Sequence, residues 1–195
     1  MKFLVSKFYL SIYFFLYSFI FASECIDTWY QSNIDKLDNN FIFIQASTYP
    51  LMNKKNIDSL TVYVDKEKNK VKIDLSNEVF LFDQYKSARL IKNLKQLYID
   101  SPDSSMFILL SSIFNLQNIK PAKRSKFEYV LNLDSNFNKT RLFFSDDCLE
   151  LESIRISIDK ANIIIKNIHF SINDSLFRKD VFEIKGDYTT YDLRR

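Results

Sequence analysis

The side chains that could support chemistry are few in this sequence, and their spacing does not group them. The one histidine, His169, lies in the alternating segment Asn-Ile-His-Phe-Ser-Ile, which is typical of a β-strand. A lone strand histidine is far more often a surface residue or a satisfied core residue than a catalytic base or a ligand. The cysteines and this histidine also lack the spacing of a metal site. We therefore expect no catalysis through His169 and no bound metal.

The local group that most resembles an active site is Asp146-Asp147-Cys148, an acidic pair beside a thiol. Consecutive residues of a strand point to opposite faces, so a turn that opens a strand explains these three residues better. The single glycine, Gly186, excludes a P-loop and a dinucleotide-binding loop, because both need several glycines to bring backbone N–H groups onto phosphate. These observations predict a protein that is not an enzyme and that takes no cofactor.

The first 23 residues have the layout of a secretory signal peptide. Lys2 and Lys7 precede an apolar run over residues 8–21, which ends in the small residues Ala22 and Ser23. This run is shorter than the roughly 20 apolar residues that a spanning helix needs. We expect export, with cleavage after Ala22 or Ser23.

Two alternatives to a cleaved signal peptide follow from the residues around the cleavage site. Ile20 or Phe21 would stand three positions before the cut, where a large side chain is unfavourable, so an uncleaved membrane anchor is one alternative. A lipid on Cys25 is the other. Glu24 argues against lipidation, since the residue before a lipidated cysteine is normally small.

Residues 24–195 are enough for a single domain with a real core. Without Lys2 and Lys7, the 27 basic residues of the chain become 25, against 24 acidic residues, which leaves a net charge of +1. The charges alternate in sign along the chain, so nothing indicates a nucleic-acid partner. Cys25 and Cys148 would both reach an oxidising compartment, where they form either one disulfide or two free thiols.

The period of the apolar residues predicts an α+β fold. Residues 26–37 and 102–116 carry apolar side chains at helical spacing, and Ser101, Asp103 and Ser104 can cap the second helix. The predicted strands are 41–47, 60–65, 70–75, 79–83, 88–91, 96–100, 127–133, 140–144, 149–158, 162–170 and 182–185. This order of elements predicts an antiparallel sheet covered on one face by helices.

The strands are rich in aromatic and aliphatic side chains, and this composition has two explanations. One is an ordinary filled core. The other is a half-open sheet whose concave face holds a ligand, which would show the same pattern.

Short motifs along the chain favour the second explanation. An early aromatic residue in the first helix is followed by Phe-x-Gln, a strand pair with a basic residue, an apolar helix and a closing Phe-x-Ile segment with a terminal Asp-x-Arg. These motifs are Trp29, Phe43-Ile-Gln45, Leu60-Thr-Val-Tyr-Val64, Lys70-Val-Lys-Ile-Asp74, Met106-Phe-Ile-Leu-Leu110, Phe182-Glu-Ile184 and Tyr191-Asp-Leu-Arg194. In this order, over nearly all of the chain after the signal peptide, they resemble the LolA family of periplasmic carriers of outer-membrane lipoproteins.

The sequence departs from the family pattern at three places. Lys72 stands where the family usually has arginine, whose fork of donors lysine does not reproduce. Residues 84–86, Gln-Tyr-Lys, replace an Asp-Gly turn, and Gly186-Asp187 stands in place of a Pro-Gly element.

The resemblance implies an incomplete antiparallel barrel, or half-barrel, whose concave face is covered by helices. It implies a periplasmic carrier, a monomer, that binds the acyl chains of lipoproteins and exchanges them with an inner-membrane release complex and an outer-membrane acceptor. A carrier of another lipid or glycolipid on the same fold, and a periplasmic scaffold with a filled core, are the alternatives.

The resemblance also implies a set of ligand-binding residues. On the sheet they are Phe43, Val62, Ile73, Val79 and Leu81, and on the helix that forms the lid they are Met106, Phe107, Leu109 and Leu110. Lys72 would be the latch that tethers this lid. Alternation leaves the strand face open, because Ile44 instead of Phe43 can point inward.

Overall fold

The computed structural model of the protein describes residues 25–50, 57–116, 121–132, 139–158, 161–172 and 181–194. The predicted signal peptide over residues 1–23, with its cleavage site, lies outside these ranges. In the part of the chain that is described, no helix is long and apolar enough to span a membrane.

The described residues form two helices and a sheet of twelve strands, which is the predicted α+β class. The helices are α1 (Cys25–Leu37) and α2 (Ser105–Phe114). The strands are β1 (Phe41–Pro50), β2 (Asp58–Asp65), β3 (Lys70–Leu75), β4 (Glu78–Phe82), β5 (Ser87–Ile91), β6 (Gln96–Asp100), β7 (Ala122–Lys123), β8 (Glu128–Leu131), β9 (Lys139–Phe144), β10 (Leu151–Ile158), β11 (Ala161–Ser171) and β12 (Thr189–Asp192).

The strand order is β12-β6-β5-β4-β3-β2-β1-β11-β10-β9-β8-β7, with β12 and β7 at the two edges. Neighbouring strands are antiparallel except β12, which runs parallel to β6. The first and last thirds of the sheet meet where β1 pairs with β11, a long-range pairing that brings the two halves of the chain together.

Two elements differ from the sequence prediction. The segment 182–185 is not a strand, and the last strand is instead β12 (Thr189–Asp192), which begins three residues after Gly186 at φ 127°. The prediction was wrong here because period-two apolar spacing also occurs in an irregular segment that packs on a sheet. The short strand β7 was not predicted, since its two residues are too few to show any period.

Helix α2 begins later than the predicted residue 102. The carboxylate of Asp103 accepts a hydrogen bond from the backbone N–H of Ser105, at 2.9 Å, and thus satisfies one of the free donors of the first turn. The predicted capping role of Asp103 is confirmed, while Pro102 precedes the helix.

Both helices pack on the same face of the sheet, called here the helix face; the other is the outer face. From α1, the fully buried Trp29 packs edge to face against Phe144 at 5.7 Å and Phe170 at 5.9 Å. A disulfide joins Cys25, at the start of α1, to Cys148 in the β9–β10 connection, with their Cα atoms 5.0 Å apart. It decides between the two states of the cysteines that the sequence left open and fixes α1 to the sheet.

A β-bulge in β11 controls which side chains reach the helix face. Gln45 pairs with His169 and Ser47 with Lys166, so two steps along β1 match three steps along β11. The extra residue is Asn167, whose φ of 54° is a conformation that asparagine tolerates better than most residues. Side chains before and after the bulge therefore share a face, which strict alternation would not allow.

Candidate functional site: an apolar cavity

A cavity of about 340 Å³ lies between the helix face of the sheet and α2. Its volume falls within the range of roughly 300–1,000 Å³ typical of small-molecule sites. The lining consists of Ile44, Ala46, Thr48, Leu60, Val62, Ile73, Leu75, Phe80, Phe82, Leu109, Leu110, Ile113, Ile154, Ile156, Ile163, Ile165, Ile168 and Phe170. Thr48 carries the one polar side chain among them, and its hydroxyl donates to the carbonyl of Asp58 at 3.4 Å.

The sheet positions its part of the lining through cross-strand register. Ile44 of β1 lies opposite Val62 of β2, Val62 opposite Ile73 of β3, and Ile73 opposite Phe80 of β4. Residues directly opposite one another in antiparallel strands share a face, so this register produces one continuous apolar row. β-branched residues dominate it because they pack well on a pleated surface.

Helix α2 contributes Leu109, Leu110 and Ile113, whose spacing of three and four residues places them on one side of the helix. All three are buried. Phe107 and Ile108 are half-buried and pack against the core outside the cavity lining. The helix therefore covers the cavity with aliphatic side chains alone, and contributes no polar group to it.

The cavity is closed where β1 begins and accessible where β1 ends. At the closed end Ile42, Val64 and Val71 are almost completely buried. At the other end Thr48 and Leu75 are only half-buried. An elongated apolar ligand would therefore enter beside the end of β1.

Lys66, in the β2–β3 turn, connects the two helices. Its ammonium donates to the carbonyl of Leu37, the last residue of α1, and lies 5.1 Å from the centroid of the Phe114 ring at the end of α2. A cation is favoured at a helix C-terminus and over an aromatic face. Burial lowers the pKa of Lys66 from 10.5, and the charge of Asp38 opposes that effect.

A second depression, called here the polar groove, adjoins the cavity on the same face of the sheet. It measures about 470 Å³, and Phe80 and Phe82 line both the groove and the cavity. The remaining lining residues of the groove are Ser87, Ala88, Arg89, Ile91, Tyr98, Asp100, Asp103 and Leu193. Arg89 pairs with Glu78 through two hydrogen bonds, of 3.0 Å from Nε and 2.7 Å from Nη2, and these bonds raise the pKa of Arg89.

Four of the predicted ligand-binding residues line the cavity: Val62, Ile73, Leu109 and Leu110. Phe107 belongs to the covering helix but does not line the cavity, and the side chain of Met106 lies outside the described part of the structure.

Phe43, Val79 and Leu81 are on the outer face, so the inward orientation predicted for them is corrected. The alternative register applies, in which Ile44 and not Phe43 points into the cavity. Phe43 packs instead against Tyr63 at 5.2 Å. Val79 shares a small hollow with Val181 and Ile184 of the C-terminal segment, which covers that part of the outer face.

The latch prediction for Lys72 is corrected in the same way. Lys72 alternates with Ile73, which lines the cavity, so its side chain projects from the outer face. There its ammonium donates to the carbonyl of Val181 at 2.8 Å. This contact ties down the C-terminal segment, whereas α2 covers the opposite face.

The prediction missed the contribution of β10 and β11, which supply a third of the lining. These residues are Ile154, Ile156, Ile163, Ile165, Ile168 and Phe170. The isoleucine-rich segment 163–170 was a visible signal, but simple alternation separates Ile165 from Ile168. The bulge at Asn167 places both on the helix face and leaves His169 exposed on the outer face.

Within the described ranges, no group of three or more His, Cys, Asp or Glu side chains has a geometry that would hold a metal ion. The residues that line the cavity include neither a carboxylate, a histidine nor a cysteine. What this arrangement can do is exclude water from an apolar group that enters it.

No known protein family and no curated protein matched the sequence. Solved structures with a similar fold include an uncharacterized conserved protein from Thermus thermophilus. The two chains are 11% identical, with a TM-score of 0.49, and the match covers 85% of this chain and 98% of that one.

Proposed function

We propose that the protein is a carrier that holds the acyl chains of lipoproteins in the apolar cavity and moves them through the periplasm toward the outer membrane. The observation that carries this proposal is the cavity between the sheet and α2, whose lining is aliphatic and aromatic except for Thr48. A scaffold with a filled core would have no reason to leave such a space. The resemblance of the sequence to the LolA family adds the direction of transport and the nature of the cargo.

The energetics of burial support a carrier. Each CH₂ group withdrawn from water contributes about 0.8 kcal/mol, so a long acyl chain in water costs on the order of 10 kcal/mol. The cavity offsets much of this cost. Because Leu109, Leu110 and Ile113 of α2 reach the same space, closure of the helix competes with the ligand and keeps the net affinity low enough for release.

We propose further that the sheet is curved into a half-barrel. Six adjacent strands, from β4 through β1 to β10, contribute side chains to one cavity of about 340 Å³. If flat, six strands would span about 24 Å, too wide for all of them to reach a space of that size. Curvature around α2 brings the outer strands of this set together.

The Cys25–Cys148 disulfide supports export, because disulfides persist in oxidising compartments. On this proposal the protein acts as a monomer without enzymatic activity. It would receive its cargo from a release complex in the inner membrane and deliver it to an acceptor in the outer membrane.

Binding of a fluorescent fatty-acyl probe tests the proposal. We expect saturable binding that apolar competitors reverse and that added salt leaves unchanged. Ala46→Phe should fill the cavity and abolish binding, because Ala46 lines it. The matched control is Gln45→Phe, one residue away and exposed on the outer face, which should bind as the unmodified protein does.

Thermal melts of both variants establish that each is folded. Ala46→Leu provides a smaller filling substitution if phenylalanine is not accommodated. Binding that disappears with salt would instead identify an electrostatic surface site, and equal binding by Ala46→Phe and Gln45→Phe would refute the cavity as the binding site.

A further inference from the structure

The polar groove continues the surface that forms the cavity. Arg89 of β5 lies directly opposite Phe80 of β4, and Tyr98 of β6 lies directly opposite Arg89. Tyr98 in turn stacks on Tyr191 of β12, with ring centroids 5.1 Å apart. The row of the sheet that is apolar from Ile44 to Phe80 thus becomes polar and aromatic within one strand spacing.

The two depressions share a wall, which limits what can occupy them together. Phe80 and Phe82 line both, and their rings are parallel with centroids 6.4 Å apart. A molecule with an apolar chain in the cavity would therefore need to extend only across these two rings to reach the groove. The groove is placed to contact the polar end of the same molecule.

The hydrogen-bonding groups of the groove include both donors and acceptors. A guanidinium has five N–H donors, and Glu78 accepts two of those of Arg89. No other described residue accepts a bond from the remaining three. Asp100 and Asp103 each use one carboxylate oxygen on a backbone N–H, of Ser101 and Ser105 respectively, which leaves the second oxygen of each able to accept from a ligand.

The charge of the groove is negative. Glu78 neutralises Arg89, and Asp100 and Asp103 then leave two formal negative charges. The N-terminal end of α2 near Asp103 offsets only about half a charge. A phosphate in this groove would be repelled, whereas hydroxyl and amide groups would find both donors and acceptors.

We propose that the polar groove binds the head of the amphipathic molecule whose acyl chain occupies the cavity, and that it selects an uncharged head with hydroxyl or amide groups over a phosphate. This inference rests on the proposed function, since it requires the chain to lie in the cavity. Glu78 determines the selectivity, because it cancels the charge of the one cation in the groove. Hydroxyl and amide groups occur in glycolipids and in lipopeptides, two sources of the same chemistry.

Four ligands with the same dodecyl chain test the proposal by competition with a fluorescent acyl probe: dodecane, a dodecyl glucoside, an N-dodecanoyl amino-acid amide and dodecyl phosphate. We expect the glucoside or the amide to bind on the order of tenfold more tightly than the phosphate. Which of the two binds more tightly distinguishes a glycolipid source from a lipopeptide source.

Glu78→Gln should strengthen binding of the phosphate by about tenfold while leaving dodecane unchanged, because the charge of Arg89 is then no longer cancelled. The matched control is Glu128→Gln. Glu128 pairs with Arg141 across β8 and β9, and this pair has nearly the same exposure, 49% for the arginine and 24% for the glutamate against 50% and 28% for Arg89 and Glu78. This control should not change the ranking of the ligands.

Asp100→Asn gives a second route to the same result, since it removes a negative charge without altering the Arg89 partner. Equal affinities for all heads, in the unmodified protein and in both groove variants, would overturn the inference while the cavity still binds dodecane. Failure of every ligand, dodecane included, would instead refute the proposed function.

Discussion

The guanidinium carbon of Arg89 lies 5.7 Å from the centroid of the Phe80 ring, directly across the β4–β5 ladder. Phe80 is the last member of the apolar row that lines the cavity, and Arg89 is the first polar member of the groove. A cation over an aromatic face is stabilised by the electrons of the ring. This pair therefore joins the two chemical environments that an amphipathic ligand would need.

The disulfide makes a prediction that the single tryptophan can report. Replacing Cys25 and Cys148 by serine should lower the free energy of unfolding by about 2–5 kcal/mol. Trp29 packs on Phe144 and Phe170, so release of α1 should shift its emission to longer wavelength. Reductant should reproduce the effect in the unmodified protein and leave the double variant unchanged. Unaltered stability after reduction would contradict an anchoring role for the disulfide.

Leu110→Ala separates a covering helix from a static core. Leu142→Ala, at a fully buried position away from the cavity lining, should cost about 2–5 kcal/mol because it creates a new cavity. Leu110 already borders an existing cavity, so its truncation should cost less and should tighten acyl binding by weakening closure of α2. Denaturant midpoints and probe affinities measure both effects. Equal destabilisation by the two substitutions, with unchanged affinity in Leu110→Ala, would favour a filled-core scaffold.

Lys66→Met should loosen the junction between the helices, because it removes the ammonium bound to Leu37 and stacked on Phe114. We expect a loss of about 1 kcal/mol, since the site is partly exposed. Lys126, which is exposed and lies 4.7 Å over Phe127, provides the control Lys126→Met, with no comparable loss expected.

The pH dependence of the Lys66 contribution has a defined sign. Burial lowers the pKa of Lys66 in the folded protein below 10.5, so the folded state binds fewer protons than the unfolded state as the pH approaches 10.5. Stability attributable to this residue should therefore rise with pH in that interval. The difference between unmodified protein and Lys66→Met, measured by denaturant unfolding, should show that rise, and a difference that falls with pH would contradict it.

Asp192 tests the ion pair at the edge of the sheet. Hydrogen bonds from Arg194, including one from Nε at 2.9 Å, lower the pKa of Asp192 from 3.8 to about 2. Stabilisation from this pair is present above pH 3.8 and is lost as the pH falls through about 2. Arg194→Ala should return the pKa toward 3.8, as measured by NMR of the carboxyl carbon. The lowered pKa of Asp147, which depends on Ser145, should not move.

Asn167 tests the bulge in β11. At φ 54°, Asn167→Gly should be close to neutral, whereas Asn167→Val should cost about 1–2 kcal/mol because a β-branched side chain is strained there. Deletion of Asn167 should turn Ile168 and Phe170 to the outer face and His169 to the cavity, with loss of acyl binding. Retention of binding after the deletion would show that the bulge does not set the cavity lining.

The sequence by itself determined the existence and order of most elements. Both helices and all but two of the described strands follow from the period of the apolar residues, because burial of one face imposes a period of 2 or about 3.6 whatever the partner. The apolar character of α2 was likewise evident, and Leu109 and Leu110 could be assigned to the covering helix from sequence.

Only the tertiary structure decided which side chains share the cavity. A period of two is unchanged by a shift of one residue, so the pattern alone cannot distinguish Phe43 from Ile44, and the choice depends on the long-range pairing of β1 with β11. The positions of Lys66 and Lys72 depend on the same choice, as does the juxtaposition of Phe80 with Arg89. The Cys25–Cys148 bridge closes 123 residues of chain, a distance in sequence across which spacing carries no information about proximity.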